Sequence, residues 1–257
     1  MVEDYVKEGD YVYLWHSEGI NIVAKAKRGL VLSTVRGIIR FEDIVGKPYG
    51  SRIVTNLGHE FYLTKPTSVD ILMKMPRVTQ PIYPKDASAL LVILDVKPGS
   101  RILEAGLGSG YAASILALHV GEQGLVVSVE KNPRYIKAAL STLRELGVAD
   151  RVHVVNGDVK HIRWPRGYFD AALLDMGDPW DALPNVAEAL RHGGVVAVYV
   201  PTVSQVERVI DSMVKAGLID VRMLDVQWRF WKAKPREVRP ETWTLTHTGF
   251  IIYARRP

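Results

Sequence analysis

At 257 residues, 47% of them hydrophobic and 24% charged, the chain is long enough for one large domain or for a medium one beside a small one, with the composition of a soluble globular protein. It has no cysteine, which excludes disulfides, thiolate metal sites and cysteine nucleophiles, and no stretch is apolar for long enough to cross a bilayer. The formal net charge of +5 is carried by the end of the chain, where residues 222–257 hold eight Lys/Arg against three Asp/Glu.

Residues 1–10 are acidic and lack the apolar run of a signal peptide, so a cytoplasmic location is expected. Scarce Asn and Gln beside the missing Cys point to a heat-tolerant source. Short β-rich runs separated by glycine, at 11–15, 21–24, 29–32, 37–41, 52–55 and 60–63, predict a small all-β domain over 1–66. A helix is expected over 67–74, and Pro76, Pro81 and Pro84 break up the residues after it, so 67–82 reads as a linker helix with a pre-helix segment.

From Tyr83 onward helix and strand alternate, the signature of a parallel sheet covered on both faces. The predicted order begins with a helix at 84–94, Pro84 in its first turn, then a strand at 101–105, a glycine turn and a helix at 112–120. A strand at 125–130 comes next, then a helix capped by Asn132 and ended by Gly147, and strands at 152–155 and 169–175. A further helix is expected to stop at Gly193-Gly194, ahead of a strand at 195–200. Ser204 and Glu207 read as the capping box of a helix that turns Val206, Val209, Ile210, Met213 and Val214 inward and closes at Gly217. Strands at 221–230 and 244–254 are expected to pair as a final antiparallel ribbon, which makes 83–257 a Rossmann-like α/β domain.

In doubly wound sheets ligands bind beyond the carboxyl ends of the strands. After the first strand, Glu104 leads into Gly106, Leu107, Gly108, Ser109 and Gly110, where the glycines let backbone amides approach a ligand and Ser109 is a candidate donor to a carboxylate. Glu130 lies twenty residues past Gly110, where an acid grips both hydroxyls of a ribose. Asp158, after the third strand, is placed to accept from an adenine amino group, and Asp175 ends the fourth. A dinucleotide site usually carries Gly-x-Gly-x-x-Gly, but here Tyr111 stands where the third glycine would fall, which favours S-adenosylmethionine. Five strands with crossover helices and a final ribbon resemble the layout of the class I S-adenosylmethionine-dependent methyltransferases more than they do a second mononucleotide half. The segment Val226-Gln-Trp-Arg-Phe-Trp-Lys-Ala-Lys-Pro-Arg236 interleaves aromatics with cations, which suits phosphate contacts and base stacking as well as a strand pair with one solvated face. Arg229, Trp231 and Lys232 are its candidate substrate contacts. The seven His show no metal-ligand spacing, so no metal is expected, and His247 is read as ordering the final ribbon.

The chain resembles the tRNA adenine-N1 methyltransferases that act on adenosine 58 of the TΨC loop. The likeness spans nearly the whole chain and rests on Thr79-Gln-Pro-Ile-Tyr-Pro-Lys-Asp86, the turn 104–110, Asp175-Met-Gly-Asp-Pro-Trp180 and His247-Thr-Gly-Phe-Ile-Ile-Tyr-Ala-Arg255. It implies methyl transfer from S-adenosylmethionine to N1 of adenosine 58, with adenosine 57 a further target in some relatives. It also implies a homotetramer that binds tRNA across more than one subunit, and places Gln80 and Tyr83 beside the cofactor and the base, with Tyr83 a candidate to stack on an extracted adenine. Attack by N1 makes the N6 protons more acidic, so a carboxylate accepting from N6 acts most strongly in the transition state; Asp175 matches the family's acid for that role. Asp178, in an Asp-Pro-aromatic element similar to that of amino-group methyltransferases, is the second candidate, with Trp180 beside it. Two other readings stay open. One is a protein isoaspartyl carboxyl methyltransferase, which shares the fold; the other is a non-catalytic tRNA-binding subunit, which would be expected to lose the glycine turn or the acid of the fourth strand.

Overall fold

The computed structural model describes residues 4–257, and the chain divides into two compact units, Met1–Met75 and Pro76–Pro257. The segment expected as a linker, 67–82, is shared between them: its helix belongs to the first unit and 76–82 to the second.

Among the described residues the first unit is all β apart from the 3-10 turn Phe41–Asp43 and one short α-helix. Strands β1 (Tyr11–Trp15), β2 (Asn21–Lys25), β3 (Val31–Thr34), β4 (Gly37–Arg40), β5 (Arg52–Val54) and β6 (Glu60–Thr64) form a four-stranded sheet in the order β2-β1-β6-β5 and a separate β3-β4 hairpin. Alternation decides their faces: Val12 and Leu14 of β1 and Phe61 and Leu63 of β6 are buried while their neighbours are not, and with Ile39, Phe41 and Ile53 they make the core. Strand β3 begins two residues later than expected, because Gly29 adopts φ +82° in the turn before it. Helix α1 (Ser68–Leu72) is opened by a reciprocal capping box between Thr67 and Asp70.

The second unit is a seven-stranded sheet flanked by helices. Its elements are α2 (Pro84–Ile93), β7 (Arg101–Ala105), α3 (Tyr111–Val120), β8 (Leu125–Glu130), α4 (Pro133–Glu145), β9 (Val152–Asn156), β10 (Phe169–Leu174), α5 (Leu183–Ala189), β11 (Leu190–Val200), α6 (Val203–Lys215), β12 (Ile219–Leu224), the two-residue pair β13 (Trp231–Lys232) and β14 (Arg239–Pro240), and β15 (Phe250–Arg255). The strand order is β12-β15-β11-β10-β7-β8-β9, parallel from β11 to β9 and antiparallel where β15 joins β11 and β12. Strands β7, β8 and β10 are largely buried on both faces because helices cover both, and two apolar clusters fill those layers. The connection reverses between β7 and β10, so the crevice for a ligand lies beyond their carboxyl ends.

Three expectations about this unit are corrected. Gly193-Gly194 does not end a helix: α5 stops at Ala189, and the glycines sit inside β11 where its register with β10 jumps from Phe169↔Leu190 to Ala171↔Val195. Gly193, at φ +75°, makes that bulge, its N–H donating to the carbonyl of Arg256 at 2.9 Å. Helix α6 starts at Val203 with Thr202 at its N-cap, so Ser204 is inside the helix and forms no capping box with Glu207, and Val214 is exposed on the outer side while Val206, Val209 and Met213 are buried. The final ribbon is shorter than expected at both strands and is part of the main sheet. Residues 225–249 instead form an excursion between β12 and β15, held within itself by the β13-β14 pair and the Glu241 N–H to Phe230 carbonyl bond. Among the described residues no helix is long and apolar enough to cross a membrane.

Candidate active site

Glu104, next to last in β7, faces Leu173 of β10 on one side and Ser128 of β8 on the other. It is fully buried; the Ser128 hydroxyl donates to Oε2, and Oε1 has no partner within the protein. Burial raises its pKa to about 8, opposed by the Ser128 bond and reinforced by the negative charges of Asp175 and Glu130, so at neutral pH the carboxyl keeps its proton.

The chain then turns at Gly106, and the need for glycine is steric. A Cβ there would lie 1.8 Å from the carbonyl oxygen of Asp175, while the Asp175 N–H donates to the Ala105 carbonyl at 2.8 Å and the Gly106 N–H to that of Val129 at 3.0 Å. The ends of β7 and β10 are thus stitched together with no room for a side chain. Asp175 keeps part of its surface open, yet enough atoms crowd its carboxyl for burial to push the pKa up to about 7.

At the end of β8, Glu130 is fixed by two backbone donors, Gly108 N–H to Oε2 at 3.1 Å and Asn132 N–H to Oε1 at 2.8 Å. Each oxygen keeps a second lone pair for a ligand hydroxyl. Asp158 lies just past β9 and accepts the Lys160 N–H at 3.0 Å. Gly106, Glu130, Gly157, Asp158, Val159 and Met176 line one narrow cleft. A side-chain-free turn between carboxylates fits a ligand that carries hydroxyls, an amino group and a positive charge. The orphaned oxygen of Glu104 is a further buried polar atom beside it.

The pre-helix segment lies against this turn. Ser109, expected to meet a ligand carboxylate, is 2% exposed, and its oxygen accepts instead from the N–H groups of Val78 at 3.0 Å and Thr79 at 3.1 Å. Its own N–H donates to the Thr79 hydroxyl at 3.1 Å, the other half of a reciprocal latch. Thr79 and Ser128 are among the residues of the site that patterning missed, as are Val159 and Met176 of the cleft lining; a lone hydroxyl in the apolar run Leu-Val-Val-Ser-Val-Glu130 was the available signal for Ser128. Leu107 is in the core against α2 and α3, and Gly110, at φ +79°, caps α3. Tyr83 is the half-buried N-cap of α2, and Gln80 is exposed.

The remaining candidates stand apart from the cleft lining. Asp178 is exposed at the start of a single 3-10 turn, Pro179–Asp181. Trp180 packs on α6, its carbonyl accepting from the Ser212 hydroxyl at 2.6 Å and its ring 5.1 Å below the Arg208 guanidinium. Arg229 stacks over Trp231 at 5.5 Å and Lys232 pairs with Glu237, all in the excursion. His247 contacts Phe250 with ring centroids 4.6 Å apart, at the start of β15. No cluster able to hold a metal ion occurs among the described residues.

The profile of the family described as "tRNA methyltransferase complex GCD14 subunit" matches residues 60–251. The tRNA (adenine(58)-N(1))-methyltransferase TrmI of Thermus thermophilus is 33% identical over 230 residues, 90% of each chain. Among solved structures, an S-adenosylmethionine-dependent O-methyltransferase of Thermotoga maritima superposes with TM-score 0.93 at 33% identity, covering 98% of this chain and 95% of its own. The tRNA (m1A58) methyltransferase TrmI of Aquifex aeolicus superposes with TM-score 0.90 at 28% identity, covering 99% of each. The α/β unit therefore has the S-adenosylmethionine-dependent methyltransferase fold.

Proposed function

The chain belongs to the tRNA methyltransferase complex GCD14 subunit family, and from that membership we propose that it transfers the methyl group of S-adenosylmethionine to N1 of adenosine 58 in tRNA. The observation that carries the reading is one cleft at the strand ends, lined by Glu130, Asp158 and the Gly106 turn, with that turn stitched through the backbone to Asp175 so closely that no side chain fits. Bound there, S-adenosylmethionine supplies an already activated sulfonium methyl, so the protein's work is orientation. Glu130 holds the ribose hydroxyls and Asp158 the adenine amino group, with the amides of the glycine turn close by. Asp175 accepts from N6 of the target adenine as positive charge develops on the ring, and Tyr83, at the N-cap of α2, stacks on that base after it leaves its pair. Asp178 is the second candidate for the N6 contact, with Trp180 behind it as packing. Arg229, Trp231 and Lys232 hold the RNA through phosphate and stacking contacts.

A protein carboxyl methyltransferase would have no use for the exposed aromatic and basic excursion, and a non-catalytic subunit would have no need of an intact turn and strand-four acid. The homotetramer has a candidate contact in β12, an edge strand that exposes Ile219 and Met223; light scattering on the purified chain checks it. A tRNA substrate fits a cytoplasmic setting. The deciding experiment incubates the purified chain with methyl-labelled S-adenosylmethionine and tRNA and maps modified nucleosides by position. 1-Methyladenosine at 58, alone or with 57, is expected; label on peptide rather than RNA, or tRNA binding without transfer, would replace the reading.

A further inference from the structure

Two of the segments that carry the family likeness, 79–86 and 247–255, contain residues that take no part in the chemistry of methyl transfer. Lys85, Asp86, Thr248 and Gly249 are among them, and they meet inside the protein. The Lys85 ammonium donates to Asp86 Oδ1 at 2.8 Å, to the Val226 carbonyl at 2.6 Å and to the Thr248 hydroxyl oxygen at 2.6 Å. Asp86 Oδ2 accepts from the Thr248 hydroxyl at 2.6 Å and from the Tyr199 hydroxyl at 3.4 Å. Lys85 is 6% exposed and Asp86 0%, and every donor of the ammonium has a partner. Such a pair is costly to bury and is no better for stability than an apolar pair of the same volume, so its effect is to fix geometry.

Its location says which geometry. Val226 lies just past the end of β12, where the chain departs into the excursion 225–249, and Thr248 lies just before β15, where it returns. One ammonium therefore holds both feet of the arm. The returning foot lies flat on Tyr199, since a Cβ on Gly249 would come within 2.5 Å of that ring. The other end of the joint is the first turn of α2, two and three residues past its N-cap Tyr83. Beyond its feet the arm is thinly built, with the two-residue β13-β14 ladder and exposed ion pairs such as Lys234–Glu237 at 2.6 Å.

We propose that the buried joint of Lys85, Asp86 and Thr248 is a positioning device that keeps the aromatic and basic arm in register with Tyr83, so that RNA held by the arm presents its adenine to the cleft. The proposal rests on the reading of the arm as an RNA surface. Lys85→Met would leave Asp86 buried without its cation and endanger folding, so the test uses Thr248→Val, nearly isosteric, and Thr248→Ser, which keeps the hydroxyl. Thr248→Val is expected to raise the KM for tRNA about tenfold while kcat and the KM for S-adenosylmethionine stay within about twofold, and Thr248→Ser is expected to restore the tRNA value. Amide exchange over 227–247 should quicken in Thr248→Val with the parallel strands unchanged. In a Trp231→Ala background, itself raised in tRNA KM, Thr248→Val should add nothing further, because both act through the arm. If Trp231→Ala raises the tRNA KM and Thr248→Val does not, the joint is overturned and the RNA surface stands. If neither variant changes it, both are overturned. Equal damage by Thr248→Val to kcat and to both KM values would mark a merely structural contact and also overturn the joint.

Discussion

The cleft at the strand ends and the arm 225–249 are both rich in charge and differ in almost everything else. At the strand ends the acids are held close: Glu130 by two backbone amides, Glu104 by the Ser128 hydroxyl, and the backbone of Asp175 by the stitched ends of β7 and β10. Removal from water raises the pKa of Glu104 and Asp175, so these groups are held ready rather than at rest. In the arm Trp243 is 89% exposed and Phe230 59%, and the ion pairs sit in water, where they contribute little to stability. The proposed chemistry thus sits where the fold constrains side chains, and the proposed RNA surface where it leaves them exposed.

The contrast is most exposed to test at Asp175. Asp175→Ala is expected to lower kcat by about 10²- to 10³-fold, the usual effect of losing a preorganised transition-state contact. Cofactor affinity, measured by calorimetry, should stay within a few-fold. Near-normal turnover would remove Asp175 from the mechanism and move the N6 contact to Asp178, which lies at an exposed turn where a hydrogen bond competes with water.

The next effect is on pH dependence. Glu104 has a folded pKa of about 8, above the ordinary carboxyl value, so between those values the folded state holds a proton that the unfolded chain has released. Stability should therefore fall as pH rises from about 5 to 8, by an amount on the order of a few kcal/mol, and level off above 8. Glu104→Gln should flatten that slope in denaturant titrations; an unchanged slope would mean that the carboxyl is not the desolvated group. The N6 contact proposed for Asp175 is strongest when its carboxyl is ionised, so kcat/KM should rise through pH about 7, the value to which burial pushes it.

How much of this was legible from residues alone divides along the same line. Glu130 and the three glycines were readable because strand, turn and helix set their spacing locally. The parallel strands were readable because burial on both faces writes continuous apolar runs. The latch of Ser109 was not legible because its partner, Thr79, lies thirty residues earlier and is brought to it only by folding. Gly193-Gly194 misled because a glycine pair marks a helix stop and a strand bulge in the same way, and only the register between β10 and β11 separates the two. The joint of Lys85 with Thr248 spans 163 residues and leaves no periodicity at all. At the arm, composition suited an RNA surface and a strand pair with one solvated face alike, and the short β13-β14 pair inside it has no apolar alternation to betray it.

A smaller effect tests the arm's charge. Arg229→Ala removes one cation and uncovers the Trp231 ring, and is expected to weaken tRNA binding about three- to tenfold at moderate salt while lowering the slope of log affinity against log salt by about one. Melting temperature should not move. A stability loss without a change in salt slope would make the pair a packing contact and give the arm a character closer to that of the cleft.

The least change is expected at Glu237, and in the opposite direction. Glu237 pairs with both Lys232 and Lys234, and those two cations hold its carboxyl below the usual range. The pairs are exposed, so their loss costs the fold almost nothing, but Glu237 also keeps two cations from meeting phosphate. Glu237→Gln should leave unfolding unchanged and tighten tRNA binding about two- to threefold at low salt, with the gain vanishing as salt is raised. Weaker binding would mean that the carboxylate orders the β13-β14 turn for its partner, and the arm would then be a preorganised surface rather than a free one.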